Sequence, residues 1–105
     1  MRVFAGEPNA VHDLETDIFG DLGPHAVACI EAISARESTD TWWAYNPSTA
    51  TGLTQIKNPM HADVAITATG SSDLMNPYVN LVTARAMSAN GTNWDPWNPW
   101  PAACR

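Results

Sequence analysis

One carboxyl group stands where the sequence pattern predicts an apolar side chain. Residues 24–37 have the periodicity of an amphipathic helix, with Ile30 and Ile33 on its apolar face. At about 100° per residue, Glu37 falls about 20° from Ile30 on the helical wheel, near the centre of that face. A carboxyl group surrounded by apolar side chains resists ionisation and is therefore suited to general acid catalysis. The pattern marks Glu37 as a candidate general acid.

The alternative interpretation of Glu37 is a hydrated carboxylate at the end of its helix, because helix boundaries are uncertain by about two to four residues. The aromatic side chains that follow at once favour the catalytic interpretation. These residues are Trp42, Trp43 and Tyr45. Aromatic rings in an exposed polar stretch offer flat faces to sugar rings and reduce the polarity around a nearby acid. Their alternative role is core packing, which one or two of the three are expected to serve.

Proline and glycine divide the rest of the chain into helices and loops. Apolar periodicity and flanking turn residues predict four helices, at residues 10–19, 24–37, 60–69 and 77–90. Residues 40–57 are rich in Thr, Asn, Pro, Ser and Gly, which predicts a long loop with a short extended pairing. The predicted fold is a single, mostly α-helical domain over residues 1–105, in which residues 1–8 form an N-terminal extension without an assigned role.

The C-terminal tail and the two cysteines extend this outline. Tryptophan and proline alternate from Trp94 to Pro101, a rhythm that no helix interior tolerates, so we expect the tail to lie on a surface. Cys29 and Cys104 either close one disulfide around most of the chain or remain two buried thiols, and composition does not choose between these alternatives.

Composition excludes several classes of function. Five Lys and Arg against 11 Asp and Glu give a net charge of −6, which lacks the cationic field that nucleic acid requires. No run approaches the roughly 18 apolar residues of a membrane span. The three histidines, His12, His25 and His61, stand apart and are interpreted as surface or core residues rather than metal ligands. We therefore predict no metal and no cofactor.

Five short motifs, in order along the chain, carry a family resemblance. They are Glu37-Ser38, Tyr45-Asn46-Pro47-Ser48, Gly52-Leu53-Thr54-Gln55-Ile56, Asn76-Pro77-Tyr78-Val79-Asn80 and Gly91-Thr92-Asn93-Trp94-Asp95-Pro96-Trp97. Over about residues 24–100, this pattern resembles the lysozyme-like soluble lytic transglycosylases, and the compact actinobacterial or actinophage members most of all. Each motif alone is weak, but five in the family's order form a specific pattern. The resemblance implies a small lysozyme-like helical domain with a long catalytic loop.

The resemblance also implies roles for individual residues. Glu37 matches the catalytic glutamic acid, which protonates the glycosidic oxygen between N-acetylmuramic acid and N-acetylglucosamine in peptidoglycan. The predicted substrate-binding residues are Ser38, Trp42, Tyr45, Gly52, Gln55 and Asn80. Gly52 is expected to let the backbone approach the sugar closely, and Gln55 to line the cleft. Asn80 is expected near the acid, although it could equally fill a gap in the core.

Three departures from the family pattern concern the cleft. Arg36 precedes the acid where the compact members often carry Cys, and residues 39–43 place an acid and two large rings where the family usually has a small residue and an aromatic. Thr54 replaces the usual Met or Phe and is expected to give the cleft a smaller, more polar wall.

Two glycosidic chemistries and one non-enzymatic function follow from these residues. A hydrolase needs a second carboxylate, for which Asp40 and Asp73 are candidates, although both lie in polar stretches typical of hydrated surface acids. A lytic transglycosylase needs one carboxyl group, because the muramoyl C6 hydroxyl is the nucleophile, and we favour this activity. The implied partner is the peptidoglycan glycan strand. We expect the protein to be a monomer that acts outside the cell, in the wall or as part of a virion. The alternative is an inactive wall-binding or virion structural module.

Overall fold

Four helices form the framework, and each begins close to a proline or ends close to a glycine. The computed structural model describes residues 8–46 and 49–105. The helices are α1 (Pro8–Phe19), α2 (Pro24–Ser38), α3 (Ala62–Thr69) and α4 (Pro77–Met87). Prolines occupy the first turns of α2 and α4, where a missing N–H costs nothing, and the Asn76 side chain caps α4 by accepting from two backbone N–H groups. The prediction of a mostly helical domain is confirmed.

Four predicted helix boundaries differ from the structure by one to three residues: α1 begins at Pro8 rather than at residue 10, α2 ends at Ser38 rather than at residue 37, and α3 and α4 differ as follows. The fourth helix ends at Met87, three residues before the predicted end, because Ala89, Asn90 and Gly91 all have left-handed backbone conformations. The third helix begins at Ala62 rather than at residue 60. Of the N-terminal extension assigned to residues 1–8, only residue 8 lies within the described residues.

The long loop contains the expected extended pairing. Strands β1 (Ala50–Thr51) and β2 (Ile56–Lys57) pair antiparallel, with Ala50 opposite Lys57 and Thr51 opposite Ile56. A further bridge joins Tyr45 to Thr51. The hairpin therefore follows α2 directly and stands beside the end of that helix.

The core lies between the helices and the hairpin. Its largest fully buried apolar side chains come from α1, α2, α4, the hairpin turn and the segment before α4: Phe19, Ile30, Ile33, Leu53, Leu74 and Leu81. Ile30 and Ile33 lie on the predicted apolar face of α2, so the periodicity identified the buried side of this helix correctly.

The C-terminal tail lies against the helices and inserts two rings between them. Trp94 and Trp97 are each 5% exposed, and Phe19 stacks on Trp94 with 6.2 Å between ring centroids. Of the two alternatives for the cysteines, the structure contains the Cys29–Cys104 disulfide, which fastens the last turn of the tail to α2. Within residues 8–46 and 49–105, no helix is both long enough and apolar enough to cross a membrane.

Candidate active site

A cleft of about 630 Å³ opens where the end of α2, the hairpin, the approach to α3, the end of α4 and the tail meet. This volume lies within the range of about 300–1,000 Å³ that small-molecule sites occupy. The lining residues are Glu37, Asn46, Ala50, Gln55, Ile56, Lys57, His61, Met87, Pro96 and Trp97. Two of the predicted site residues, Glu37 and Gln55, are among them.

Glu37 reaches this cleft from the last turn of α2. Its side chain is 28% exposed, because α2 ends one residue later at Ser38 and Thr39 turns the chain away in a left-handed conformation. The apolar enclosure expected for Glu37 is therefore incomplete, and its position is closer to the alternative of a helix end within reach of water. The Nε group of Arg36 donates to Glu37 Oε2 at 2.9 Å. Within the described residues, Oε1 of the same carboxylate accepts no hydrogen bond.

Arg36 joins the acid to the tail. Its guanidinium donates to the carbonyl oxygen of Trp97 at 2.9 Å and also to that of Pro99. The Trp97 indole in turn donates to the carbonyl of Thr54, in the turn of the hairpin, at 2.9 Å. These bonds hold the end of α2, the tail and the hairpin together around the cleft, so Arg36 has a structural role at the position before the acid.

Gln55 and Asn46 form a bonded pair on the hairpin side of the cleft. Gln55 has a left-handed backbone, with φ of 55°, and its Nε2 donates to the carbonyl oxygens of Gly52 at 2.9 Å and Ala44 at 3.3 Å. Its Oε1 accepts from Asn46 Nδ2 at 2.9 Å. Gln55 therefore lines the cleft as predicted and also shapes the loop that forms the wall.

Asn80, expected near the acid, is instead a fully buried brace behind the hairpin. Its Oδ1 accepts from the backbone N–H and the hydroxyl of Thr54, at 3.0 and 2.6 Å. Its Nδ2 donates to the carbonyl oxygens of Thr51 and Leu74, both at 2.9 Å. These four bonds satisfy the amide completely, so the alternative prediction, a polar residue inside the core, describes Asn80 better. Thr54 is fully buried beside it and is not a wall of the cleft.

Gly52 permits a close approach, but to the protein rather than to a sugar. With φ of +75°, a Cβ at this position would lie 2.3 Å from the carbonyl oxygen of Leu74 and 2.5 Å from Asn80 Nδ2. Both the conformation and the contact require glycine. Gly52 thus allows the hairpin to reach the Asn80 brace.

The remaining predicted binding residues lie outside the lining of the cleft. The Ser38 hydroxyl donates to the carbonyl of Ser34 and accepts from the N–H of Thr41, so it stabilises the turn after α2. Trp42 is half-buried against the core and meets Trp43 edge to face, with 5.2 Å between centroids. Tyr45 and Trp43 are 62% and 54% exposed, which leaves their rings available at the surface beside the hairpin.

Sequence reasoning missed several residues that line the cleft. The sequence predicts His61 as an ordinary surface or core residue and Trp97 as part of a surface tail. Lys57 and Asn46 had no assigned role. Lys57 is the single lysine of the chain and directly follows the Gly-Leu-x-Gln-Ile motif, which was the available signal. The tail tryptophans gave no comparable signal, because alternation with proline does not show which ring faces inward.

The most sheltered carboxyl group belongs to Glu15, which the sequence analysis did not consider. Glu15 is 2% exposed between α1 and α2, and its Oε2 has no hydrogen-bond partner within residues 8–46 and 49–105. Burial raises its pKa from 4.5 to about 8; the negative charges of Asp40 and Glu31 add to the rise, and a hydrogen bond with Ser34 opposes it. The signal was present, since Val11, Glu15 and Ile18 have the i, i+4, i+7 spacing of one helix face.

The candidate second carboxylates lie away from the cleft. The Ser34 hydroxyl donates to Asp40 Oδ1 at 2.6 Å, which holds Asp40 on the side of Glu15. Asp73 is exposed in the turn before α4. Among the described residues that line the cleft, Glu37 alone carries a carboxyl group. Elsewhere in the described ranges, no three His, Cys, Asp or Glu side chains are arranged to hold a metal ion.

Comparison of the chain with protein-family models, with curated proteins and with solved structures finds no match in any of the three.

Proposed function

We propose that this protein is a peptidoglycan-cleaving glycosidase, and specifically a lytic transglycosylase with Glu37 as its general acid and base. The observation that carries the proposal is the position of the Glu37 carboxylate, at the end of a helix and on the wall of a 630 Å³ cleft. An acid at a helix end, followed by Ser, an Asn-Pro loop and a Gly-Leu-x-Gln-Ile turn, is also the order that the lysozyme-like resemblance implies. The motif order and this geometry support the same residue.

One carboxyl group suffices for the proposed reaction. Protonated Glu37 donates its proton to the glycosidic oxygen of N-acetylglucosamine as the bond from the muramoyl C1 breaks. The resulting carboxylate then accepts the proton of the muramoyl C6 hydroxyl, whose oxygen forms the new bond to C1 and closes a 1,6-anhydro ring. No water is consumed, so no second carboxylate is needed to activate it. The single carboxyl group among the described lining residues favours this chemistry over hydrolysis.

The surroundings of Glu37 suit a glycan strand. Asn46 and Gln55, whose amides bond to each other, line one wall, and the largely buried Trp97 lines another. An amide oxygen can accept a second hydrogen bond, here from a sugar hydroxyl or acetamido group, and the small exposed part of Trp97 adds apolar surface. The Cys29–Cys104 disulfide is compatible with work outside the cell, in the wall or on a virion.

A second candidate function is a glycan-binding or virion structural module that does not cleave. The Arg36–Glu37 contact favours it, because the Arg36 guanidinium already occupies Oε2 of the carboxyl group that would have to face the glycosidic oxygen. The exposed rings of Trp43 and Tyr45 would serve binding without chemistry.

Glu37→Gln separates the two functions. The amide keeps the shape of the side chain but cannot donate and recover a proton. We expect release of soluble fragments from purified sacculi to fall by about 10²–10⁴-fold, while the protein still sediments with sacculi. Glu31→Gln, on the same helix but outside the cleft lining, is the matched control and should retain activity. Wild-type protein that binds sacculi and releases nothing would establish the binding module instead.

A further inference from the structure

The cationic side chains in the described part of the chain differ in what they bind. Arg85 forms a bidentate pair with Asp21, at 2.6 and 2.8 Å, and Arg36 is engaged by Glu37 and the tail carbonyls. Lys57 is exposed on the wall of the cleft, and its ammonium group forms no hydrogen bond or ion pair with residues 8–46 or 49–105. Lys57 is therefore an unpaired cation within the candidate active site.

The hairpin fixes where this cation stands. Lys57 ends β2, opposite Ala50 of β1, and both residues line the cleft. The carbonyl oxygen of Lys57 accepts from the backbone N–H of His61 at 3.0 Å, which keeps the half-buried His61 on the same wall. The cleft thus combines an ammonium group and an imidazole on the hairpin side with the acid of α2.

The charge of the whole protein makes this local arrangement informative. A net charge of −6 repels an anionic polymer at long range, so the global field does not favour an acidic ligand. An unpaired ammonium group in a partly enclosed cleft adds most to the binding free energy of a ligand whose carboxylate forms an ion pair with it. A neutral glycan offers hydroxyl and acetamido groups, which the Asn46 and Gln55 amides already suit.

We propose that the cleft selects an acidic glycan, and that Lys57, with His61 beside it, binds a carboxylate on the sugar substituent. This inference rests on the proposed function and adds to it a residue that determines specificity. In peptidoglycan, the carboxylate has two sources: the free lactyl group of peptide-free muramic acid, or an acidic group of the stem peptide. A homopolymer of N-acetylglucosamine has the same backbone and no carboxylate, so it is the neutral comparison.

The test measures binding with turnover removed. In a Glu37→Gln background, affinities are measured by calorimetry for three ligands of equal sugar number: an N-acetylglucosamine oligomer, a peptide-free oligomer of alternating N-acetylglucosamine and N-acetylmuramic acid, and the same oligomer with stem peptides. Adding Lys57→Gln should weaken at least one acidic ligand by about tenfold and the neutral oligomer by less than about twofold. The acidic ligand that loses affinity identifies the source of the carboxylate. The loss should shrink in high salt.

Arg105→Gln in the same background is the control, because it removes an exposed positive charge outside the cleft lining and should change none of the affinities. Equal weakening of neutral and acidic ligands by Lys57→Gln, or no weakening at all, would overturn the inference. If the Glu37→Gln parent binds none of the three ligands, the inference and the proposed function are both wrong. If it binds them and the wild type cleaves none, the enzymatic proposal is wrong, while the affinities still decide the role of Lys57.

Discussion

Two glutamic acids occupy opposite kinds of environment: Glu15 at the interface of α1 and α2, and Glu37 at the end of α2. Glu15 is 2% exposed and has one oxygen without a hydrogen-bond partner in the described part of the chain, whereas the Glu37 side chain is 28% exposed and lies on the wall of the cleft. Burial raises the pKa of Glu15 to about 8, but that residue is not part of the lining of the cleft. The difference shows that burial of a carboxyl group from water and its accessibility to a substrate are separate properties. An acid that holds its proton is useful in catalysis only where a substrate can reach it.

The largest expected effect is the difference in enzymatic activity between the Glu15→Gln and Glu37→Gln variants. Glu15→Gln should leave the release of fragments from sacculi within about twofold of wild type, although Glu15 is the better sheltered acid. Glu37→Gln should lower it by about 10²–10⁴-fold, because only that carboxyl reaches the cleft. Both rates are measured at one pH below 7, where wild type and variants are folded. A loss in Glu15→Gln that equals the loss in Glu37→Gln would reverse the assignment.

Stability should depend on pH through Glu15. The pKa of Glu15 is raised on folding, so between pH 4.5 and about 8 the folded protein keeps a proton that the unfolded chain releases. The stabilisation is complete below pH 4.5 and is lost as pH rises through this window, by at most about 5 kcal/mol in all. Glu15→Gln cannot ionise and should remain stable, so its free energy of unfolding should exceed that of wild type by several kcal/mol at pH 8.

Chemical denaturation at several pH values between 4.5 and 8.5 measures this difference. Asp73→Asn is the charge-matched control: it removes one exposed negative charge and should shift stability by less than about 0.5 kcal/mol at every pH. Parallel pH profiles for wild type and Glu15→Gln would show that Glu15 is hydrated in solution.

Asn80 is a buried, neutral counterpart to Glu15. Its replacement should lower the free energy of unfolding, whereas replacement of Glu15 should raise it. Its four hydrogen bonds are complete, so Asn80→Ala leaves buried groups of Thr51, Thr54 and Leu74 without partners. We expect a loss of about 3 kcal/mol or more in the free energy of unfolding. Asn93→Ala, which removes one exposed amide that accepts from Asp95 N–H, should cost less than about 1 kcal/mol. A loss no larger in Asn80→Ala than in Asn93→Ala would contradict the claim that the Asn80 hydrogen bonds stabilise the hairpin.

The smallest expected effect concerns the neighbour of Glu15. Asp40→Asn removes a negative charge that raises the pKa of Glu15, and asparagine tolerates the left-handed backbone at this position, where φ is 56°. The pH range over which stability is lost should move to lower values, with a gain of about 1 kcal/mol or less at pH 8. An unchanged pH profile would show that the two carboxyl groups do not interact.

The helices were predictable because their signals are local. Pro24 and Pro77 begin α2 and α4, and the apolar spacing of Ile30 and Ile33 fixes the buried face of α2. The end of α4 was predicted less well, since the left-handed turn begins at Ala89, a residue type that rarely adopts this conformation.

The candidate site was only partly predictable, because its walls come from segments distant in the sequence. Glu37 and Gln55 followed from motif order, but a motif does not show whether Gly52 approaches a sugar or the carbonyl of Leu74. The helical wheel placed Glu37 among the isoleucines because it ignores where the helix ends. The same wheel, applied to α1, would have found Glu15 about 40° from Val11, between the buried residues Val11 and Phe19.

The measurement that tests the central claim most directly is mass spectrometry of the fragments that wild-type protein releases from purified sacculi. Glu37 acting alone, as acid and then as base, predicts fragments that end in 1,6-anhydro-N-acetylmuramic acid. Fragments with reducing ends would contradict this mechanism, because they require an activated water. Intact sacculi would contradict the assignment of a peptidoglycan glycosidase.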